Sequence, residues 1–93
     1  MMNITEENGN LFVMKNDAGD FIGQLQYIDR GKELLITHTG IDPDYRRQGL
    51  AAELVMAAVN KARRESKKIA ATCPYAVTYF REHLDELADV LDK

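Results

Sequence analysis

The hydrophobic pattern of this chain changes period at Asp42-Pro43, and that change excludes both an all-helical and an all-strand architecture. Period two marks a half-buried strand, and a three-to-four repeat marks an amphipathic helix. Leu11 to Lys15 is a short apolar run closed by Asn16-Asp17-Ala18-Gly19-Asp20, a dense cluster of turn residues. Phe21 to Ile28 then alternates, with Phe21, Gly23, Leu25 and Tyr27 on one face and Gln24 and Gln26 on the other. Asp29-Arg30-Gly31-Lys32 reads as a further turn. Glu33 to Ile41 carries apolar residues on both faces (Leu34, Leu35, Ile36, Ile41), as a central strand does. These segments predict a three-stranded antiparallel meander, with residues 1–9 as a flexible N-terminus.

After Asp42-Pro43-Asp44 the grammar is helical. Leu50, Ala51, Leu54, Val55, Ala58, Val59 and Ala62 form one stripe, with Glu53, Asn60, Lys61, Arg63 and Arg64 on the other side. A helix is expected from Gln48 to Ser66. Lys68 to Cys73 reads as a strand packed beneath it. Pro74, favoured at a first helical position, opens a second helix from Tyr75 to His83. Leu84, Leu87, Ala88 and Leu91 predict a short terminal helix. The order β-β-β-α-β-α-α defines an α+β domain: a mixed sheet in a three-layer α/β/α arrangement.

At 93 residues the chain is expected to be a single domain, 1–93, because a second core needs roughly 50 residues more. The formal charge of −3 weighs against a nucleic-acid-binding module, and the basic residues bring no aromatic platform with them. One cysteine excludes an internal disulfide, and two histidines make a metal site improbable. No apolar run approaches the roughly 20 residues that span a bilayer, and the start lacks the features of a signal peptide. The expectation is a cytoplasmic protein with no membrane partner and no metal.

Arg46-Arg47-Gln48-Gly49-Leu50-Ala51 lies between a buried strand and an amphipathic helix. A helix N-terminus presents free N–H groups and partial positive charge. Gly49 and Ala51 let backbone approach a ligand, and the arginines add charge. A pyrophosphate across main-chain amides suits this loop; a tight turn relieved by Gly49, with solvated arginines, is the plainer alternative. A nucleoside-triphosphate P-loop would need Gly-Lys-Ser/Thr, and a dinucleotide fingerprint would need three glycines. Neither is present.

Arg46-x-x-Gly49-x-Ala51, after a strand and opening a helix, resembles the acyl-CoA signature Arg/Gln-x-x-Gly-x-Gly/Ala of the GNAT superfamily of N-acetyltransferases. His38-Thr39, ahead of the loop, and Thr72-Cys73-Pro74-Tyr75, after it, are similar to the small single-domain, YjdJ-type branch. The resemblance implies an abbreviated acetyltransferase fold that uses acetyl-CoA as cosubstrate to acetylate an amine, or a CoA-binding module that has lost transfer. It implies a donor site built by Thr39, Gly40, Ile41, Arg46, Arg47, Gln48, Gly49, Leu50, Ala51 and Cys73. The pyrophosphate would rest on the amides of Arg47, Gly49, Leu50 and Ala51. The pantetheine would lie between residues 37–41 and 71–73. A chain this short leaves little room for an acceptor lobe. The acceptor is then small, an exposed end of a larger molecule, or bound with a second copy or a partner chain.

Cys73, before Pro74, falls at a helix N-cap where a thiolate is stabilised. It is a reactive thiol, a group that positions the leaving thiol, or a small buried hydrophobe. His38 is a candidate base or a half-buried structural residue, expected on the same pleat face as Leu34 and Ile36. Larger relatives place a proton-donating tyrosine where this chain has Phe80, so Tyr75 and Tyr79 are the substitute general acids. His83 is expected to cap its helix, and Glu33 to be a solvated turn residue.

Overall fold

A computed structural model of the chain describes residues 2–91. Five strands form one mixed sheet in chain order: β1 (Asn3–Glu7), β2 (Leu11–Lys15), β3 (Phe21–Asp29), β4 (Glu33–Ile41) and β5 (Lys68–Ala71). The first four are antiparallel neighbours, and β5 pairs with β4 in parallel. The crossover between them is α1 (Leu50–Arg64), and α2 (Pro74–Glu82) follows β5. This is the mixed α+β architecture the sequence predicts, with α1 shorter than expected at both ends and α2 beginning and ending one residue earlier. No described helix is long and apolar enough to cross a membrane.

The N-terminal segment is not a loose leader. Residues 3–7 form an edge strand with Ile4 opposite Met14 and Glu6 opposite Phe12. The hairpin turns at Asn8 and Gly9, both at positive φ (58° and 71°), and the Asn10 amide donates to the Glu7 carbonyl at 3.3 Å. Asn-Gly accepts such dihedrals at low steric cost.

The expected terminal helix is also absent. His83 to Val90 runs through consecutive turns. The tail is drawn alongside β5 instead: the Ile69 amide donates to the Val90 carbonyl at 2.8 Å, and Leu91 makes an isolated bridge to Ile69. Arg63 holds both Asp89 carboxylate oxygens, at 2.9 and 3.0 Å.

Two β-bulges break the simple alternation. In the first, Lys15 faces Phe21 while Met14 faces Gly23, leaving Ile22 as the extra residue. Ile22 is therefore fully buried and Phe21 is 50% exposed, so Phe21 does not share the face of Gly23, Leu25 and Tyr27. In the second, Tyr27 faces Ile36 while Gln26 faces His38, with Thr37 extra. An extra residue swaps the faces of those beyond it. Leu34 and Ile36 are buried but His38 is exposed, which corrects its expected place beside them.

The core joins the apolar stripe of α1 (Leu54, Val55, Ala58, Val59) to Leu25, Tyr27, Leu34, Ile36 and Ile69. Burying each such large side chain contributes roughly 1.5–3 kcal/mol. Lys61, on α1, is the one charged residue buried among those described. Its Nζ lies 2.7 Å from Glu6 and 2.6 Å from Glu65, and the Tyr27 hydroxyl donates to the same Glu6 oxygen at 2.8 Å. Lys67 continues the chain of charges from Glu65 (3.0 Å) to Asp29 (2.8 Å). The edge strand is thereby tied to β3 and to the end of α1.

The Lys61 hydrogen bond holds the Glu6 carboxyl below its ordinary range. Burial, reinforced by Glu6, pushes the Tyr27 phenol up to about 12. Glu6 stabilises the fold above the ordinary carboxylate pKa near 4.3, and that contribution is lost as pH falls through its lower folded value. Tyr27 works in the opposite direction: the unfolded phenol ionises near pH 10, so stability is lost between about pH 10 and 12. Urea melts should show Lys61→Ala destabilised by about 1–3 kcal/mol. Tyr27→Phe should lose about 1 kcal/mol and show a smaller alkaline loss than the parent. An alkaline limb equally steep in Tyr27→Phe would contradict this assignment.

Candidate functional site

The site begins where two parallel strands stop pairing. β5 is paired to β4 only from Glu33 to Ile36. There the Ile36 carbonyl accepts both the Thr72 amide at 2.9 Å and the Cys73 amide at 3.3 Å, and the bulge at Thr37 re-aims β4. Beyond this point a cleft of about 420 Å³ opens, walled by Thr39, Gly40 and Ile41 of β4, Tyr45 to Arg47 and Gly49 of the following loop, Leu50 and Ala51 of α1, and Tyr75 of α2. Gly23 holds the β4 wall close to β3: a Cβ there would meet the Gly40 carbonyl oxygen at 2.6 Å.

Local chemistry shapes the loop. Asp42 accepts the Asp44 amide at 3.0 Å and caps the short 3₁₀ turn Pro43–Tyr45. Arg46 is extended, and its Nε donates to the Ile41 carbonyl at 3.3 Å. Arg47 and Gly49 both take left-handed dihedrals, at φ 67° and 75°. Gly49 is the N-cap of α1 and has no side chain to satisfy the first helical amides. Left-handed residues beside an open helix terminus turn several N–H groups toward one point, an anion-binding arrangement. A Cβ built on Gly49 meets nothing within 4 Å, so there is space above these donors. The donor set fits a diphosphate.

Of the residues expected at the donor site, Thr39, Gly40, Ile41, Arg46, Arg47, Gly49, Leu50 and Ala51 share this cleft. Gln48 is exposed on the loop and is not one of its walls. Cys73 stands behind the wall, 5% exposed, as the N-cap of α2. Its thiol lies 3.6 Å from Thr39 Oγ1. Burial pushes the thiol up, but the Ala76 amide, the Thr39 hydroxyl and the Tyr75 amide together outweigh it, and the net shift is downward. The cause is hydrogen bonding that favours the thiolate, from the first amides of α2 and from Thr39 across the gap.

The aromatic residues divide. Tyr75 is 41% exposed and walls the cleft. Tyr79, one turn on, lies outside the cleft, half-buried against the core. Phe80 is itself a core residue, so no hydroxyl points from that position. His83 is the C-cap of α2; its Nδ1 lies 2.8 Å from the Tyr79 carbonyl and must donate, since a carbonyl only accepts. His38 is not a cleft wall. Its ring leans over Gly40, where an added Cβ would lie 3.1 Å from Nε2. Glu33 pairs with Arg30 at 3.5 Å in the turn before β4. Tyr45 is the wall residue that sequence reading missed; the one available signal was an aromatic immediately before Arg46.

Comparison with known proteins gives the same picture. Residues 11–90 match the family described as GCN5-related N-acetyl-transferase. Among curated proteins none matches. A GCN5-like protein from Staphylococcus aureus has a solution structure similar to this chain, with a TM-score of 0.72 and 28% identity over 97% of this chain and 87% of the other. N-acetylglutamate synthase from Neisseria gonorrhoeae, in complex with coenzyme A and N-acetyl-glutamate, shares the fold at TM-score 0.65 and 14% identity, over 88% of this chain but 22% of its own. The Escherichia coli GNAT-family protein YhbS, in complex with CoA, does so at TM-score 0.58 and 21% identity, over 70% of this chain and 42% of its own. The family match spans β2 to β5, the loop at Arg46 to Ala51 and both helices, and the chain belongs to the GCN5-related N-acetyltransferase family.

Proposed function

We propose that this chain is a small, single-domain acetyltransferase of the YjdJ-type branch, acting in the cytoplasm, which binds acetyl-CoA in the cleft between β4 and α2 and passes the acetyl group to an amine. The observation that carries this reading is the cradle at Arg47 to Ala51: two left-handed residues, an uncapped helix terminus and open space above Gly49. The diphosphate rests on those amides beside Arg46 and Arg47. The pantetheine follows Thr39 to Ile41, along the stretch of β4 that β5 leaves unpaired. Two CoA-bound proteins of the same fold support the donor assignment.

The reaction is attack of a neutral amine nitrogen on the thioester carbonyl. An N–C bond forms, the C–S bond breaks, the nitrogen loses a proton and the CoA thiolate gains one. Cys73 stands behind the Thr39 wall of the cleft, its thiol 3.6 Å from Thr39 Oγ1 and made more acidic than usual. It positions the departing sulfur and supplies the proton, the task for which Phe80 has no hydroxyl. His38, above Gly40, takes the amine's proton directly or through water. Tyr75 shields the acetyl group from solvent.

Acetyl-CoA should raise Tm, because it binds only the native state; no shift at millimolar concentration would overturn the assignment. Gly49→Ala places a side chain at a left-handed position and in the ligand's space. It should cost about 1–2 kcal/mol of stability and abolish the acetyl-CoA shift, while Gly31→Ala, at a turn remote from the cleft with the same handedness, should lose stability only. Thiol release across a panel of amines should fall roughly 100-fold or more in Cys73→Ala and His38→Ala with acetyl-CoA binding retained. Intact-mass detection of an acetylated Cys73 would make that residue a nucleophile instead, and tight binding without turnover of any amine would make the chain a CoA-binding module.

A further inference from the structure

The donor cleft continues onto one side of α2. Tyr75, Tyr79 and His83 recur at helical spacing and stack: Tyr75 on Tyr79 at 6.4 Å and 27°, Tyr79 on His83 at 4.0 Å and 19°. Tyr75 belongs to both the stack and the cleft. Glu82 follows on the same side of the helix, and Glu86, in the turns beyond it, shares a surface hollow with Glu82 and His83. Burial, then Tyr79 and Glu82, pushes the Tyr75 phenol up, and burial, then Glu86, does the same to Tyr79. Both carboxylates therefore lie close enough to act on the rings, and both phenols stay neutral. Among the described residues neither Glu82 nor Glu86 takes part in an ion pair. Arg81 lines both this hollow and the neighbouring groove of Val77, Phe80 and Leu84, without pairing with either carboxylate.

Resting on the acetyl-transfer reading above, we propose that this aromatic and acidic side of α2 binds the acceptor, and that the acceptor is a linear, multiply charged aliphatic amine. Its terminal nitrogen lies beside Tyr75 at the cleft, its chain runs over Tyr79, and its remaining ammonium groups meet Glu82 and Glu86. Ring faces attract cations, and the two carboxylates, which no cation among the described residues pairs with, complete the match. Charge is segregated along the site: Arg46 and Arg47 stand at the diphosphate end and the carboxylates at the other. A second anion is repelled from this side, and an uncharged flat ring leaves the carboxylates unused. Tyr75 to Glu82 is about 10 Å along the helix axis, so only an extended acceptor reaches from the cleft to the charge. The end that reacts lies away from the carboxylates, which would hold its proton more strongly than a ring does, while the remote charges hold the molecule.

Calorimetry on the full chain saturated with CoA, which has no acetyl group to transfer, tests this with spermidine and n-butylamine as probes at low salt. Spermidine should bind roughly 10-fold or more tightly than n-butylamine. The exposed double variant Glu82→Gln/Glu86→Gln should erase most of that preference and flatten its salt dependence. Tyr79→Phe should keep the affinity and Tyr79→Leu should lose it several-fold, with circular dichroism checking that each variant folds. Equal affinity for the two amines, or a preference unchanged in Glu82→Gln/Glu86→Gln, overturns the acceptor assignment. A chain that shows a CoA-induced rise in Tm and yet binds no spermidine loses the acceptor assignment alone; a chain that shows no such rise loses the donor reading beneath it.

Discussion

The carbonyl of Ile36 accepts two amides, from Thr72 and Cys73, and the functional half of the molecule is arranged around that point. On one side β4 and β5 pair as ordinary parallel neighbours from Glu33 to Ile36. On the other, Thr37 is an extra residue that bends β4, and β5 ends at Ala71 to become the N-terminus of α2 at Pro74. Parallel strands joined by a helix are normally covered along their length. Here the ladder is cut short, and the part of β4 beyond it has main-chain groups that β5 does not pair. The same cut places Cys73 within 3.6 Å of Thr39, across the gap. A cleft, a thiol and an open strand edge thus follow from one interruption in hydrogen bonding.

An interrupted sheet in so small a domain needs support elsewhere. The edge strand β1 offers one well-placed apolar residue, Ile4, and packing alone holds it weakly. The path Tyr27–Glu6–Lys61–Glu65–Lys67–Asp29 ties β1, β3 and the end of α1 at the pole opposite the cleft. Isolated surface ion pairs contribute little, but Lys61 is 8% exposed and its ammonium is shared by two carboxylates. Its removal would leave Glu6 and Tyr27 facing each other with less compensation. Rigidity at that end of α1 matters at the other, because the helix that anchors Lys61 also presents the Leu50 and Ala51 amides to the cleft.

Long-period features were legible in sequence and local irregularities were not. The change from period two to a helical repeat at Asp42-Pro43 placed the crossover, and Pro74 placed the start of α2. The loop at Arg46 to Ala51 was readable because its requirements are backbone requirements: a left-handed Gly49 and a small Ala51 leave a trace in residue type. The bulges at Ile22 and Thr37 leave no such trace. Each adds one residue to one strand, and its signature is a change of face that an isolated strand does not reveal, so Phe21 and His38 were put on the wrong sides. Asn8-Gly9 did carry a hairpin signal, but the polar composition of Asn3–Glu7 masked it. The tail failed for another reason. Leu87 and Leu91 have helical spacing, yet the hydrogen bond from Ile69 to Val90 and the Arg63–Asp89 pair outcompete a helix too short to stand alone.

On the proposed reading the two halves of the site differ in what builds them, and this explains how a chain of 93 residues accommodates both. The donor end relies on main chain: amides of Arg47 to Ala51 and the edge of Thr39 to Ile41 need no separate lobe, because any fold with this loop supplies them. Side chains there adjust charge and access. Beyond Tyr75 the reverse holds. Along α2 the main-chain groups are consumed by the helix itself, so the proposed recognition falls to the rings and Glu82 on one side of it and to Glu86 in the turn beyond. Backbone sites tolerate wide sequence change, so CoA-bound structures with only 14% and 21% identity still share this fold. A recognition surface made of side chains on one short helix can be rewritten by a few substitutions. On that reading specificity resides in α2 and the turn after it, and the donor cradle is the constant against which it varies.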